Sequence, residues 1–342
     1  MARNRGLDLL RLFAGMAVVM LHYNYGYAFP IMDSVSTPNK LLLYGMEALC
    51  VPAVNVFLLI SGFFLIQSEK RSLGKVINLF VLVVSFRELF YLGPVVLGRH
   101  SFEWGLFLTA LVPRMYFIVL YSVVYLVSPY INLVIKQLSN KGILRLLLIL
   151  FLLLSVEPWL VDILEKTTKT TWRGLSMIAF SGADGGQTLV HFMFMYIIGA
   201  CLNKFEISDY KVKIKWWWVY VATTIIILFS YITKWFGSPY YSPFVVLQSV
   251  SLFCLFRYVN CAAVFSRLSQ AALTCYIIHI QFLNYIKIDY FIHQPTYILA
   301  LHIVVSLMVI YLLAFVFMIV YDFVFNKPQE KLNKIVLDYK FD

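Results

Sequence analysis

Apolar residues run through this chain in long blocks separated by short polar links. The blocks fall near residues 6–29, 41–66, 76–98, 105–135, 143–161, 188–203, 215–236, 243–261, 270–292 and 297–325. An α-helix needs about 20 apolar residues to cross roughly 30 Å of hydrocarbon. A helix also satisfies its own backbone polar groups, which lipid cannot do. The pattern therefore predicts an all-α polytopic membrane protein, a bundle of about ten transmembrane helices. The links hold no stretch long enough for a second, soluble domain. Residues 1–342 are read as a single membrane-embedded domain, with spans over about 6–325 and a short tail at 326–342. The first block contains Asp8, Arg11 and His22 and lacks a small-residue cleavage site, so it is read as a span rather than a leader. No heptad, low-complexity tract or inverted repeat stands out.

Composition sharpens this by exclusion. Apolar residues make up 61% of the 342 and charged residues 13%, against roughly 45–50% and about 25% in soluble domains. A soluble globule, a disordered chain and a disulfide scaffold are excluded. Cys50, Cys201, Cys254, Cys261 and Cys275 show no CxxC spacing and are read as packing residues. The formal net charge is +11, but the basic residues flank apolar blocks, so no nucleic-acid partner is expected. With the N-terminus in the cytoplasm, 19 of the 28 Lys and Arg fall inside, 8 fall outside, and Arg87 lies mid-span. That bias persists along the chain, as topology rules require, and places both termini in the cytoplasm. Trp216, Trp217 and Trp218 stand at a span start, where an interfacial aromatic belt belongs. The longest outside loop is expected from about Asp162 to Gln187, carrying Arg173 and the turn-like Gly182-Ala183-Asp184-Gly185-Gly186.

Ionisable side chains inside spans are costly and mark bundle interiors or wet cavities. Arg11 and His22 are eleven residues apart, which at about 100° per residue leaves them roughly 20° from the same direction and about 16 Å apart along the axis. Asp8 and Gly15 fall near the same stripe. Arg11 taken alone is a snorkelling anchor, and His22 taken alone is a hydrogen-bonded packing residue. Together they suggest a ligand entering from the cytoplasm, its anionic end at Arg11 and its reactive end at His22. Asp8, one turn away, is placed to orient Arg11. Glu47 lies at a depth similar to His22 and is a candidate for setting its tautomer. Ser61-Gly62 suits either a close helix approach or a local break. Arg87 and Glu88 read best as members of a structural ion-pair network. Arg114, after Pro113, is an interfacial charge or a site residue. His279 is read equally as a packing or a cavity-lining histidine. No His/Cys/Asp cluster suggests a metal, and none is expected.

The opening Gly6-Leu7-Asp8-Leu9-Leu10-Arg11, with His22 ten intervening residues later, resembles the acyltransferase-3 family of integral membrane acyltransferases. Ser61-Gly62-Phe63 is similar to that family's motif after the second span. Asn55 upstream resembles the branch common among surface-polysaccharide modifiers. Leu111 to Phe117, Tyr125 to Asn132 and Tyr276-Ile277-Ile278-His279 are similar to later segments, so the likeness runs from about residue 5 to 325. Two departures stand out: Asn78 lies near where an arginine is expected, and Tyr116-Phe117 replaces Trp-Phe.

The resemblance implies transfer of an acetyl or other short acyl group from acyl-CoA to a hydroxyl of a cell-surface glycan or its lipid-linked precursor. It implies a multi-pass protein of the bacterial plasma membrane, acetyl-CoA as donor, and membrane lipid as surroundings. The family's basic residues after the second span map onto Lys70, Arg71 and Lys75 as donor contacts. His22 would act as base, and donors near Ser61-Gly62 would face the oxyanion. Arginine suits the donor phosphates as a planar, permanent cation. The alternative is a transporter or exporter of a small molecule or polysaccharide, which also uses buried Arg, Glu and His. A glycan polymerase or ligase is a further alternative, for which a larger outside loop is expected.

Overall fold

Local chemistry starts and stops each helix in this computed structural model, which describes residues 4–68, 70–172, 174–177, 184–205, 210–234, 238–333 and 335–337. Arg173, Gly182 and Ala183 of the expected outside loop lie outside the described residues. The side-chain oxygen of Asn4 accepts from the Leu7 N–H at 3.0 Å and caps helix α1, Arg5–Tyr23. Asp8 adds a carboxylate to the positive end of the same helix. Beyond Tyr23 the chain widens into a π turn, Asn24–Ala28, and then tightens into a 3-10 helix, Phe29–Ser34. A π turn inserts an extra residue and shifts the phase of the residues beyond it.

The next block is one pass in two pieces, α2 (Thr37–Cys50) and α3 (Ala53–Leu65). Pro52 separates them, because proline has no N–H to donate and its ring collides with the preceding turn. Strand β1 (Arg71–Ser72) leads into α4 (Leu73–Val96), whose Lys75 N–H is capped by Ser72 Oγ at 3.2 Å. The block expected at 105–135 divides into α5 (Trp104–Ala110) and α6 (Tyr116–Gln137), with Pro113 in the gap. Helix α7 (Asn140–Phe151) passes through a π turn into α8 (Glu157–Thr168). This pass is longer than expected, so Asp162 and Lys166 belong to a helix and the outside loop begins after Thr168.

Then come α9 (Leu189–Leu202), α10 (Tyr210–Thr233) and α11 (Pro243–Phe256). A 3-10 turn joins α12 (Ala263–Leu268) to α13 (Ala272–Leu283), and α14 (Ile288–Phe291) is a single turn. Helix α15 (Thr296–Asn333) continues into the expected tail, where β2 (Val336–Leu337) runs antiparallel to β1. Among the described residues, seven helical stretches are long and apolar enough to cross a membrane, and α9 and α11 are shorter apolar helices. The chain is thus an all-α polytopic membrane protein.

Cross-chain hydrogen bonds gather alternate helix ends at one face. The Asn4 amide donates to the Arg257 carbonyl at 2.9 Å, and the Arg257 guanidinium donates to the Leu202 and Phe205 carbonyls. The Lys204 ammonium donates to the Ile135, Lys136 and Leu138 carbonyls. Both cations sit where helix C-termini present unpaired carbonyls and the negative end of the dipole. At the opposite face the Asn39 amide donates to the Ile292 and Gln294 carbonyls, and Lys166 donates to the Lys234 carbonyl.

Helices α3 and α9 pack backbone against backbone. A Cβ on Gly62 would lie 2.1 Å from the Tyr196 carbonyl oxygen, and one on Gly199 would lie 2.2 Å from that of Leu59. Small residues let helix backbones touch where lipid supplies no hydrophobic drive. The polarity is that of a membrane bundle: Asn55, His191, Gln248, Ser249 and Ser251 are fully buried, while Leu148, Trp218, Ile225, Leu301 and Phe323 are exposed. Trp217 and Trp218 point outward, as an interfacial belt requires.

Candidate active site

A cleft enters the bundle from the basic face. Its outer chamber, about 410 Å³, lies between α4, α6, the turn before α13 and the end of α15, and includes Lys75, Asn78, Tyr125, Asp322 and Gln329. Its inner chamber, about 430 Å³, is lined by Arg11, Val18, Val54, Ser61, Phe117 and Tyr276. Leu79, Tyr121, Gln270 and Leu273 line both chambers, so the two adjoin across these residues. Arg11 projects into this space with its Nη1 at 3.2 Å from Asp8 Oδ1. The Asp8 side chain is nearly buried and the Arg11 side chain is one-third exposed. Asp8 therefore aims the guanidinium, and the face of Arg11 that meets the cleft keeps access to solvent and ligand.

Two histidines stand about one helical turn beyond Val18 and Tyr276 of the inner chamber. His22 on α1 and His279 on α13 meet there, with ring centroids 4.6 Å apart and planes 67° apart. The Nδ1 of His22 lies 2.9 Å from the Val18 carbonyl, and that of His279 lies 3.0 Å from the Cys275 carbonyl. A carbonyl can only accept, so Nδ1 carries the proton of each neutral ring and Nε2 carries the lone pair. His22 is half-buried and His279 is buried. An imidazole with a fixed Nδ1–H and an accessible Nε2 lone pair is built to take a proton.

Several expected site residues are placed elsewhere. Glu47 does not set the tautomer of His22, since the Val18 carbonyl does so. Its Oε2 accepts from the Asn24 amide at 2.8 Å, because the π turn rotates Asn24 toward α2. Arg71 is fully buried, and its guanidinium donates to the Leu65, Ser68, Lys70 and Tyr125 carbonyls and to Ser128 Oγ. It clamps α3 to α6 and presents no free donor to the cleft. Lys70 is exposed beside it, so only Lys75 of the three basic residues lines the cleft.

Ser61 lines the inner chamber, but its hydroxyl donates to the Phe57 carbonyl at 2.8 Å. That proton is committed, so the Ser61 hydroxyl is not an oxyanion donor. Gly62 serves the approach of α9. Arg87 and Glu88 form no ion pair among the described residues. Arg87 donates to the Thr109 and Ala110 carbonyls and caps α5, whereas the Glu88 carboxyl oxygens have no hydrogen-bond partner among the described residues. Arg114 is exposed in the gap between α5 and α6, away from the cleft. Asn55 bridges the His191 ring and the Tyr240 carbonyl, each at 2.8 Å, in the interior of α3 and α9.

Sequence reasoning missed Tyr121 and Gln270, which line both chambers. Gln270, polar at the start of an apolar block, carried a usable signal. Tyr121 sits in a tyrosine-rich helix and carried none.

No curated protein and no solved structure shows significant similarity to this chain. A sequence model of the acyltransferase-3 family, described as an acyltransferase domain, matches residues 4–321. With the Arg11–His22 stripe on α1, the Ser61-Gly62 contact and this match along nearly the whole chain, the protein belongs to the acyltransferase-3 family of membrane acyltransferases.

Proposed function

We propose that this chain is an O-acyltransferase of the bacterial plasma membrane, moving an acetyl or other short acyl group from acyl-CoA to a hydroxyl of a cell-surface glycan or its lipid-linked precursor. The cleft lined by Lys75 and Arg11, with the histidine pair about one helical turn beyond its Val18 and Tyr276 wall, supports this reading. Its mouth lies at the basic face, which the positive-inside rule assigns to the cytoplasm, where acyl-CoA is made.

The residues present suit the donor. Lys75 at the rim and Arg11 within offer cations for its phosphates, although Asp322 shares the rim. Tyr121, Tyr125 and Gln270 add neutral donors along the path. Arg11 and His22 lie about 16 Å apart along α1, of the order of an extended pantetheine arm. Val18, Phe117 and Tyr276 give the inner chamber an apolar lining suited to a short acyl group.

In the reaction, the acceptor hydroxyl attacks the thioester carbon while His22 Nε2 takes its proton. The new O–C bond forms, the C–S bond breaks, and the proton passes from His22 to the leaving thiolate. General-base catalysis of this kind contributes about 10²–10⁴-fold. The half-buried setting of His22, on the far side of the inner chamber from the mouth, supports an acceptor approaching from outside.

The test is labelled acetyl-CoA incubated with membrane vesicles of the producing cells, which carry their own acceptors. Transfer of label to glycan is expected with the parent protein and is expected to vanish with His22→Ala, while membrane insertion persists. Undiminished labelling by His22→Ala would overturn the mechanism. Absence of CoA dependence, with flux of a solute in liposomes, would favour a transporter.

A further inference from the structure

The resting site has two lone pairs and no donor between them. His22 and His279 each spend their Nδ1–H on the carbonyl one turn back in their own helix, at 2.9 and 3.0 Å. These bonds fix both rings and leave both Nε2 atoms as acceptors. His279 is 1% exposed, and its Nε2 has no hydrogen-bond partner among the described residues. An unmet buried acceptor is costly, and in a functional site it marks a partner that arrives with the reaction.

We infer that His279 is a positioning residue for acyl transfer, its Nε2 accepting a hydrogen bond from the Nε2–H that His22 acquires. The inference rests on the acyl-transfer reading of the site. In that reaction the hydroxyl O–H breaks and its proton moves to His22 Nε2. The site then holds one new donor, on a cationic ring whose centroid lies 4.6 Å from that of His279. His279 Nε2 is the acceptor waiting for it. The bond holds the imidazolium in place until the thiolate sulfur takes the proton, after which the pair returns to two lone pairs.

The helix contact supports this division of labour. Helices α1 and α13 pack so closely that a Cβ on Gly15 would lie 3.2 Å from the Ala272 Cβ. That closeness holds the rings at a fixed separation. If His279 served packing alone, phenylalanine would replace it without loss of rate.

The experiment compares His279→Phe and His279→Gln in the full-length protein, in vesicles carrying their own acceptors. It measures the rate at saturating labelled acetyl-CoA, the donor KM and direct donor binding. His279→Phe is expected to lower the saturated rate by about tenfold to a hundredfold, with KM and binding unchanged. His279→Gln, whose side-chain carbonyl restores an acceptor, is expected to recover most of that loss. Unchanged turnover by His279→Phe overturns the inference. Equal losses in both variants, accompanied by lost donor binding, overturn it in favour of packing. His22→Ala, run in parallel, separates the levels. If it stays active, the acyl-transfer mechanism falls. If it is inactive while His279→Phe is not, only the role of His279 falls.

Discussion

Arg71→Met separates a structural arginine from a donor-binding one. Family resemblance assigns this position to the donor phosphates, whereas its guanidinium is spent inside the bundle. Five acceptors receive its N–H groups, but they do not lose equally when it is removed. The Leu65 carbonyl keeps the Asn132 amide at 2.9 Å and the Ser68 N–H at 3.1 Å. The Tyr125 carbonyl keeps the Ser128 hydroxyl, and the Lys70 carbonyl keeps the Ser68 hydroxyl. The Ser68 carbonyl accepts from Arg71 at 2.8 Å and loses that bond outright. A hydrogen bond to a charged group is worth about 1.5–3 kcal/mol. The guanidinium also lies 5.4 Å from the Tyr125 ring centroid, a contact worth about 0.5–2 kcal/mol. Methionine fills much of the volume, so the expected destabilisation is roughly 2–5 kcal/mol. By the scaling for folded domains, that lowers Tm by on the order of 10 °C. The assay is thermal unfolding in detergent, paired with acetyl-CoA binding well below the transition. Arg71→Lys is expected to resemble Arg71→Met, because an ammonium cannot span the same acceptors. Parental Tm with weakened donor binding would refute the clamp and return Arg71 to the phosphates.

Other substitutions test separate parts of the account. Gly62→Ala and Gly199→Ala each drive a Cβ into a facing backbone oxygen. Each is expected to cost about 1–3 kcal/mol or more, read as lowered Tm in detergent, and a stable variant would contradict the contact. Glu47→Gln keeps an oxygen for the Asn24 amide and is expected to leave the transfer rate near that of the parent. A loss of about tenfold or more, the usual cost of removing a carboxylate that orients a histidine, would restore Glu47 to the site. Lys75→Ala is expected to raise the donor KM, with the difference shrinking as salt is added, and a change confined to the saturated rate would contradict its place at the rim.

Each of the ten apolar blocks carries a helix, because lipid solvent imposes a strong and local signal. The breaks at Pro52 and Pro113 were visible as prolines, yet the block at 105–135 was read as unbroken. The Arg11–His22 stripe was legible because α1 keeps its 3.6-residue period between them; Arg11 lines the inner chamber and His22 lies one turn beyond Val18 of its wall. The placement of Glu47 was not, since the π turn at Asn24 changes the phase in a way that spacing cannot reveal. Nor could spacing show that His279 meets His22, that Arg71 turns inward, or that Arg87 caps α5. These depend on contacts between distant segments. A buried arginine and a ligand-binding arginine also look alike until their acceptors are seen.

The central claim is that acyl-CoA loads from the basic face onto Arg11 and is used by His22. Binding of labelled acetyl-CoA to the purified protein in detergent tests it most directly, comparing the parent, Arg11→Ala and His22→Ala. The account predicts saturable binding by the parent, binding weakened about tenfold or more by the loss of a charged hydrogen-bond donor in Arg11→Ala, and retained binding in His22→Ala. Folded parent protein that fails to bind at millimolar donor, or Arg11→Ala that binds as the parent does, would contradict it.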